Sequence, residues 1–201
     1  MRDVRQTKAM FTVKLADQAV DDLRFIRSAM ERAGAFTAVP GWGGVGMGGI
    51  ALLAAPIAAV QPSTTGWLVV WVMTAVLASS IGLASMTRKA RRLDVPLGSG
   101  PGRKFVLGLL PSIVVGALLT MTLLRSGDPG LIPAIWLLLY GTGIVAAGAF
   151  SIPVVPLQGL AFLLLGVVAL VLPAAGDLLL GLGFGAVNIG FGLVIATRHG
   201  G

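Results

Sequence analysis

Residues 87–104 read TRKARRLDVPLGSGPGRK, and how the chain lies follows from this run. It is the only long polar stretch after residue 34. It carries Arg88, Lys89, Arg91, Arg92, Arg103 and Lys104, six of the fifteen basic residues. Both flanks are apolar for about twenty residues. A knot of cations between two greasy segments reads as a membrane loop, and its charge decides which way the flanking segments point.

Composition supports that reading. The chain has 201 residues, 56% of them hydrophobic and only 11% charged. A soluble domain carries about 25% charged residues. So few charges cannot cover a water-facing surface, whereas lipid can cover an apolar one. The 29 glycines suit close helix packing in lipid. There is no cysteine, which removes disulfides, thiol nucleophiles and thiolate metal sites. The net charge of +7 is the loop bias of a membrane protein rather than a nucleic-acid footprint, so no nucleic-acid partner is expected.

The expected fold is all-α and polytopic: six transmembrane helices preceded by a cytoplasmic amphipathic helix. Residues 1–34 form the amphipathic part. Leu15, Ala19, Val20, Leu23, Ile26, Met30 and Ala33 recur at helical spacing and make one apolar face. That face either lies on the membrane surface or meets a protein partner through residues 15–33. Residues 35–201 form the membrane domain, with spans at about 42–60, 67–86, 105–124, 131–150, 154–172 and 178–197. Each is close to the ~20 residues that cross a ~30 Å hydrocarbon core. None alternates polar and apolar residues as a barrel strand would. Gly and Pro mark the short separators, and loops this short make neighbouring spans antiparallel partners.

No apolar signal core interrupts the charged first thirty residues, so the N-terminus is expected to stay inside. Fourteen of the fifteen basic residues then share one side, and Arg125 alone faces out. The expectation is a multi-pass protein of a bacterial inner membrane with both termini cytoplasmic.

The spans hold no Asp, Glu, Lys, Arg or His. Proton-coupled carriers need such groups at depth, and metal-dependent membrane enzymes need His and carboxylate clusters. No catalytic residue, metal site or cofactor is expected. The one histidine, His199, reads as a solvated tail residue. Asn188 is the most polar residue within a span. It is either interhelical glue or a ligand contact in a cavity between the surrounding glycines, and glue is the preferred reading. Tyr140 and Gln158 are the other candidate ligand contacts, with Tyr140 in reach of Asn188 or Thr142. Small residues four apart mark packing faces: Gly44 and Gly48, Ala78 and Gly82, Ser112 and Gly116, Gly143 and Ala147, Gly181 and Gly185, Ala186 and Gly190. Such faces serve a bundle interior or a homo-oligomer. Pro56, Pro111 and Pro173 are expected to kink or end their helices.

Residues LRFIR at 23–27, MERA at 30–33, FTAVPGWG at 36–43, LLLYG at 137–141 and the ending from Gly190 resemble uncharacterised six-span bacterial membrane proteins of the acidobacterial type. The resemblance implies the six-span fold and a sensing or regulatory partner, but no activity. Those proteins often carry His where this chain has Asn188. The functional expectation is a non-enzymatic sensor, regulatory or accessory subunit of a membrane complex, in contact with membrane lipids. The alternative is a transporter or substrate-capture subunit for a neutral, apolar small molecule.

Overall fold

A computed structural model describes residues 21–26, 30, 36–93 and 100–199. The chain divides into two compact units, Met1–Gly34 and Ala35–Gly201. In the first, residues 21–26 and Met30 are helical. Leu23, Ile26 and Met30, three and four apart, are all more than half exposed. The rest of the expected amphipathic face, Leu15, Ala19, Val20 and Ala33, lies outside the described residues. Arg24 and Asp21 form an exposed pair at 3.4 Å, too solvated to stabilise the helix appreciably.

The described part of the second unit is mainly helical. Its helices are α1 (Gly41–Ala59), α2 (Thr64–Arg92), α3 (Gly100–Ser126), α4 (Ile132–Gly148), α5 (Val154–Val171), α6 (Gly176–Leu180) and α7 (Asn188–Arg198). A π-helical stretch, Gly181–Val187, joins α6 to α7, so the three elements make one span. Six helices are thereby long and apolar enough to cross a membrane. The chemistry of the starts is local. Ser63 caps α2 by accepting the Gly66 N–H at 3.1 Å. Pro129 and Pro173 each open a single 3₁₀ turn at the head of the fourth and sixth spans. Pro56 and Pro111 lie inside α1 and α3 and end neither.

The spans pack in chain order except α2 and α3, which make no substantial contact with each other. α1 packs on α2 and on the last span; α4 packs on α3 and on α5; the last span also touches α5. α2 and α3 are the outer members. Only 6% and 17% of their most apolar windows are buried, against 44% for the last span. Their exposed Val72, Met73, Val76, Leu110, Val114 and Leu118 are a surface for hydrocarbon, not for water.

Glycine decides which helices come closest. A Cβ on Gly48 of α1 would stand 2.6 Å from the Gly185 carbonyl, and one on Gly141 of α4 would stand 2.9 Å from the Gly159 carbonyl of α5. At these two crossings backbone meets backbone, which is the geometry that drives association where no hydrophobic effect acts. Most of the small-residue faces are used inside the bundle: Gly82 is met by Met47, Gly116 by Trp136, Gly143 by Ser112 and Gly181 by Ala55. Gly190 differs, with nothing near it, so the pair Ala186 and Gly190 faces outward.

At 29 residues α2 is about 44 Å long, well over the ~30 Å hydrocarbon core. Its last turn carries Lys89, Arg91 and Arg92, and a helix of this length is long enough to reach past the hydrocarbon. Cations at a helix C-terminus also suit its dipole. The same end of the bundle is closed by an extended segment, residues 36–39. Phe36 is buried, its ring 5.1 Å from Phe105. Its N–H donates to the Phe150 carbonyl at 2.7 Å, and Ser151 Oγ donates to the Phe36 carbonyl at 2.7 Å. Phe36, Ala38 and Val39 join Ala90, Phe105, Ile144, Val155 and Ile195 in one core cluster. The segment is a plug: it fills the space among the ends of α2, α3, α4, α5 and α7.

Candidate functional site

Two polar clusters lie buried in the bundle, one within the spans and one at the basic end. The first gathers all three candidate ligand residues. Asn188 follows directly on the π-helical stretch, and Gln158 sits one turn into α5. Both are buried. Gln158 Nε2 donates to Asn188 Oδ1 at 2.7 Å, and Asn188 Nδ2 donates to the Phe184 carbonyl at 2.8 Å. An amide offers an acceptor oxygen and two donor protons. Here one amide donates to the other across the α5–α7 contact, and neither leaves an atom both buried and unpaired. Tyr140 joins through its ring rather than its hydroxyl. It stands 4.8 Å from Phe162 and 4.9 Å from Phe184, and those two rings are 5.2 Å apart. Edge-on and tilted contacts of this kind add to burial alone. The expected bond from Tyr140 to Asn188 or Thr142 is absent: Asn188 is taken by Gln158 and Phe184, and Thr142 Oγ1 donates to the Leu138 carbonyl at 2.8 Å.

The glycines beside this cluster admit neighbouring chain. A Cβ on Gly183 would strike Leu137, one on Gly185 would strike Leu52, and one on Gly192 would stand 2.8 Å from the Gly41 carbonyl. A recess of about 430 Å³ lies elsewhere, lined by Thr64, Thr65, Leu68, Leu124, Gly127 and Pro129 where α2 begins and α3 ends. Close to that end, Trp67 Nε1 donates to Asp177 Oδ1 at 2.5 Å, and Trp136 Nε1 donates to Thr120 Oγ1 at 2.9 Å.

The second cluster is at the basic end. Lys89 reads from sequence as one of six loop cations that set orientation, and such a cation belongs in water. Instead its side chain is buried. Nζ donates to the Val39 carbonyl and to the His199 carbonyl, each at 3.0 Å. One ammonium thus ties the plug to the end of α7. Among the described residues it has no carboxylate partner. His199 is likewise not a free tail residue: its Nδ1 is buried and, among the described residues, has no hydrogen-bond partner. Lys104 lies 5.2 Å over the Phe150 ring, while Arg88, Arg91, Arg92, Arg103 and Arg198 are exposed.

Lys89 carries a signal in the sequence. It lies three residues beyond Met86 and seven beyond Gly82, the residue that packs on Met47. Continuing the α1-facing stripe of α2 past the apolar limit of the span places Lys89 on the buried face. Phe36 has a weaker signal, a bulky aromatic with Ala38 and Val39 just ahead of Pro40.

No group of three or more metal-ligating His, Cys, Asp or Glu side chains occurs among the described residues. No family model, curated protein or solved structure matches the chain.

Proposed function

We propose that this protein is a non-catalytic regulatory or accessory subunit of a membrane complex, held in the bilayer by its six spans and presenting residues 15–33 to a protein partner. The observation that carries this reading is the exposed stripe Leu23, Ile26 and Met30 on a helix outside the bundle unit. Large apolar groups at helical spacing gain by being covered, and an amphipathic helix laid in a partner's groove covers them. The bundle's own polar groups support a structural role for the spans. The buried amides close on each other, and Thr74, Thr120, Thr122 and Thr142 return their hydroxyls to their own helices.

The orientation belongs to the same proposal. Seven basic residues of the bundle unit, Arg88 to Arg92 and Arg103, Lys104 and Arg198, lie at the end where α2 stops and α3 starts, and Arg125, Asp128 and Asp177 lie at the other. Loop cations are retained on the cytoplasmic face. On this reading the basic end, the plug and both termini lie in the cytoplasm of a bacterial cell.

The test is in-membrane crosslinking of the full chain, with a variant carrying Leu23→Gln, Ile26→Gln and Met30→Gln. The variant is expected to insert normally and lose its crosslinked protein partner. Undiminished crosslinking to the same partner contradicts the reading. The recess lined by Thr64 and Leu124 favours the alternative, a capture subunit for a neutral apolar molecule. A small molecule that copurifies with the protein, and is lost on Leu68→Trp, would establish that alternative.

A further inference from the structure

The basic end holds the one buried ammonium described in the bundle, and its neighbours leave it incompletely answered. A lysine ammonium has three protons to donate. Val39 and His199 carbonyls take two of them. Both partners are neutral dipoles, so the full charge remains. Burial of a charge is costly unless it is paired, and the described acids of this unit, Asp128 and Asp177, lie at the opposite end. A second unanswered group belongs to the residue whose carbonyl the ammonium holds: His199 Nδ1, buried and, among the described residues, without a partner. Unsatisfied buried groups of this kind call for an ion, a water or a ligand. Two exposed arginines stand on the same two helix ends. Arg92 lies one helical turn after Lys89 on the same face of α2, and Arg198 adjoins His199.

Four donors, at least one of them formally charged at depth and two charged at the rim, match an anion with several acceptor oxygens. A phosphate fits, since it accepts from ammonium, imidazole and guanidinium at once. The site lies at the end of membrane-spanning helices, at headgroup level, where basic pockets between helices meet anionic lipid. We propose that Lys89, His199, Arg92 and Arg198 form a binding site for the phosphate of an anionic phospholipid headgroup. The bound lipid completes the plug. It neutralises the ammonium that links Val39 to His199, and so it ties closure of this end to the lipid around it. The proposal does not depend on which side of the membrane the end faces, nor on any protein partner.

The test is the melting temperature of the full chain in a neutral detergent, titrated separately with phosphatidylglycerol, phosphatidylcholine and inorganic phosphate. Phosphatidylglycerol is expected to raise it where phosphatidylcholine and inorganic phosphate do not. His199→Ala keeps the backbone carbonyl that Lys89 holds and so preserves the clamp. It is expected to need about tenfold more phosphatidylglycerol for half the effect, the worth of one hydrogen bond to a charged group. Arg125→Gln, at the far end, is expected to respond as the parent does. Lys89→Met is expected to remove the response. An equal response to phosphatidylcholine, or an unshifted titration in His199→Ala, overturns the site. An equal response to inorganic phosphate overturns the lipid as its occupant.

Discussion

Two buried polar clusters share one helical bundle and are solved in opposite ways. The pair Gln158 and Asn188 is neutral: Gln158 donates to Asn188, and Asn188 donates in turn to the Phe184 carbonyl. The Lys89 cluster is charged, and the carbonyls of Val39 and His199 spread its charge without cancelling it. The first site is complete within the protein; the second has donors to spare. A low-dielectric interior makes satisfied networks rigid and unsatisfied ones costly. The amide pair therefore belongs to the architecture of the spans, while the lysine cluster is where the surroundings can act on the protein.

The comparison breaks first if the middle of the bundle has room to spare. Gly48→Leu is expected to cost about 3 kcal/mol, the upper range for forced overpacking, because the obstacle is the Gly185 backbone. Unfolding titrations in mixed micelles measure it, and a loss under half that size would mean that the last span can move aside. The next effect sharpens the idea of mutual satisfaction. Asn188→Leu leaves the Gln158 amide without its acceptor and is expected to cost about 1–2 kcal/mol. Gln158→Leu with Asn188→Leu should cost less than the two single changes added, with a coupling of about 0.6–1.7 kcal/mol. Additive costs in the same titrations would mean the amides do not act as a pair.

The charged cluster answers differently. Lys89→Met loses two carbonyl contacts but also removes a buried charge, so these terms partly offset and the net loss is about 1 kcal/mol. Arg91→Gln, exposed two residues on, is expected to leave stability unchanged. Equal losses from both would show that Lys89 behaves as a surface cation. The smallest loss is that of Lys104→Gln, which should cost about 0.5 kcal/mol through the lost contact over Phe150.

The six helices were legible because their cause is one-dimensional. Runs of apolar residues near twenty long, broken by Gly, Pro and cations, dictate crossing segments whatever they later touch. Packing faces were nearly as legible: the spacing of Gly48, Gly82, Gly116 and Gly181 points at contacts that exist. The clusters were harder to read. Asn188, Gln158 and Tyr140 could each be picked as polar groups in lipid, but that Gln158 bonds Asn188, and that Tyr140 enters by its ring, depends on how α4, α5 and α7 cross. The π-helical stretch is invisible to a 3.6-residue period. The burial of Lys89 depends on the helix face that carries it, and that of Phe36 on a contact with Ser151 across 115 residues, which local sequence signals only weakly.

The central claim is that six spans alternate across one membrane, with the basic end on the cytoplasmic side. The chain has no cysteine, so a single introduced one is a clean probe. Thr65→Cys, exposed before the second span, and Leu93→Cys, exposed after it, would each be treated in intact cells with a membrane-impermeant maleimide. The account predicts that residue 65 labels at once and residue 93 only after the membrane is opened. Labelling of residue 93 from outside, or of both together, would contradict it.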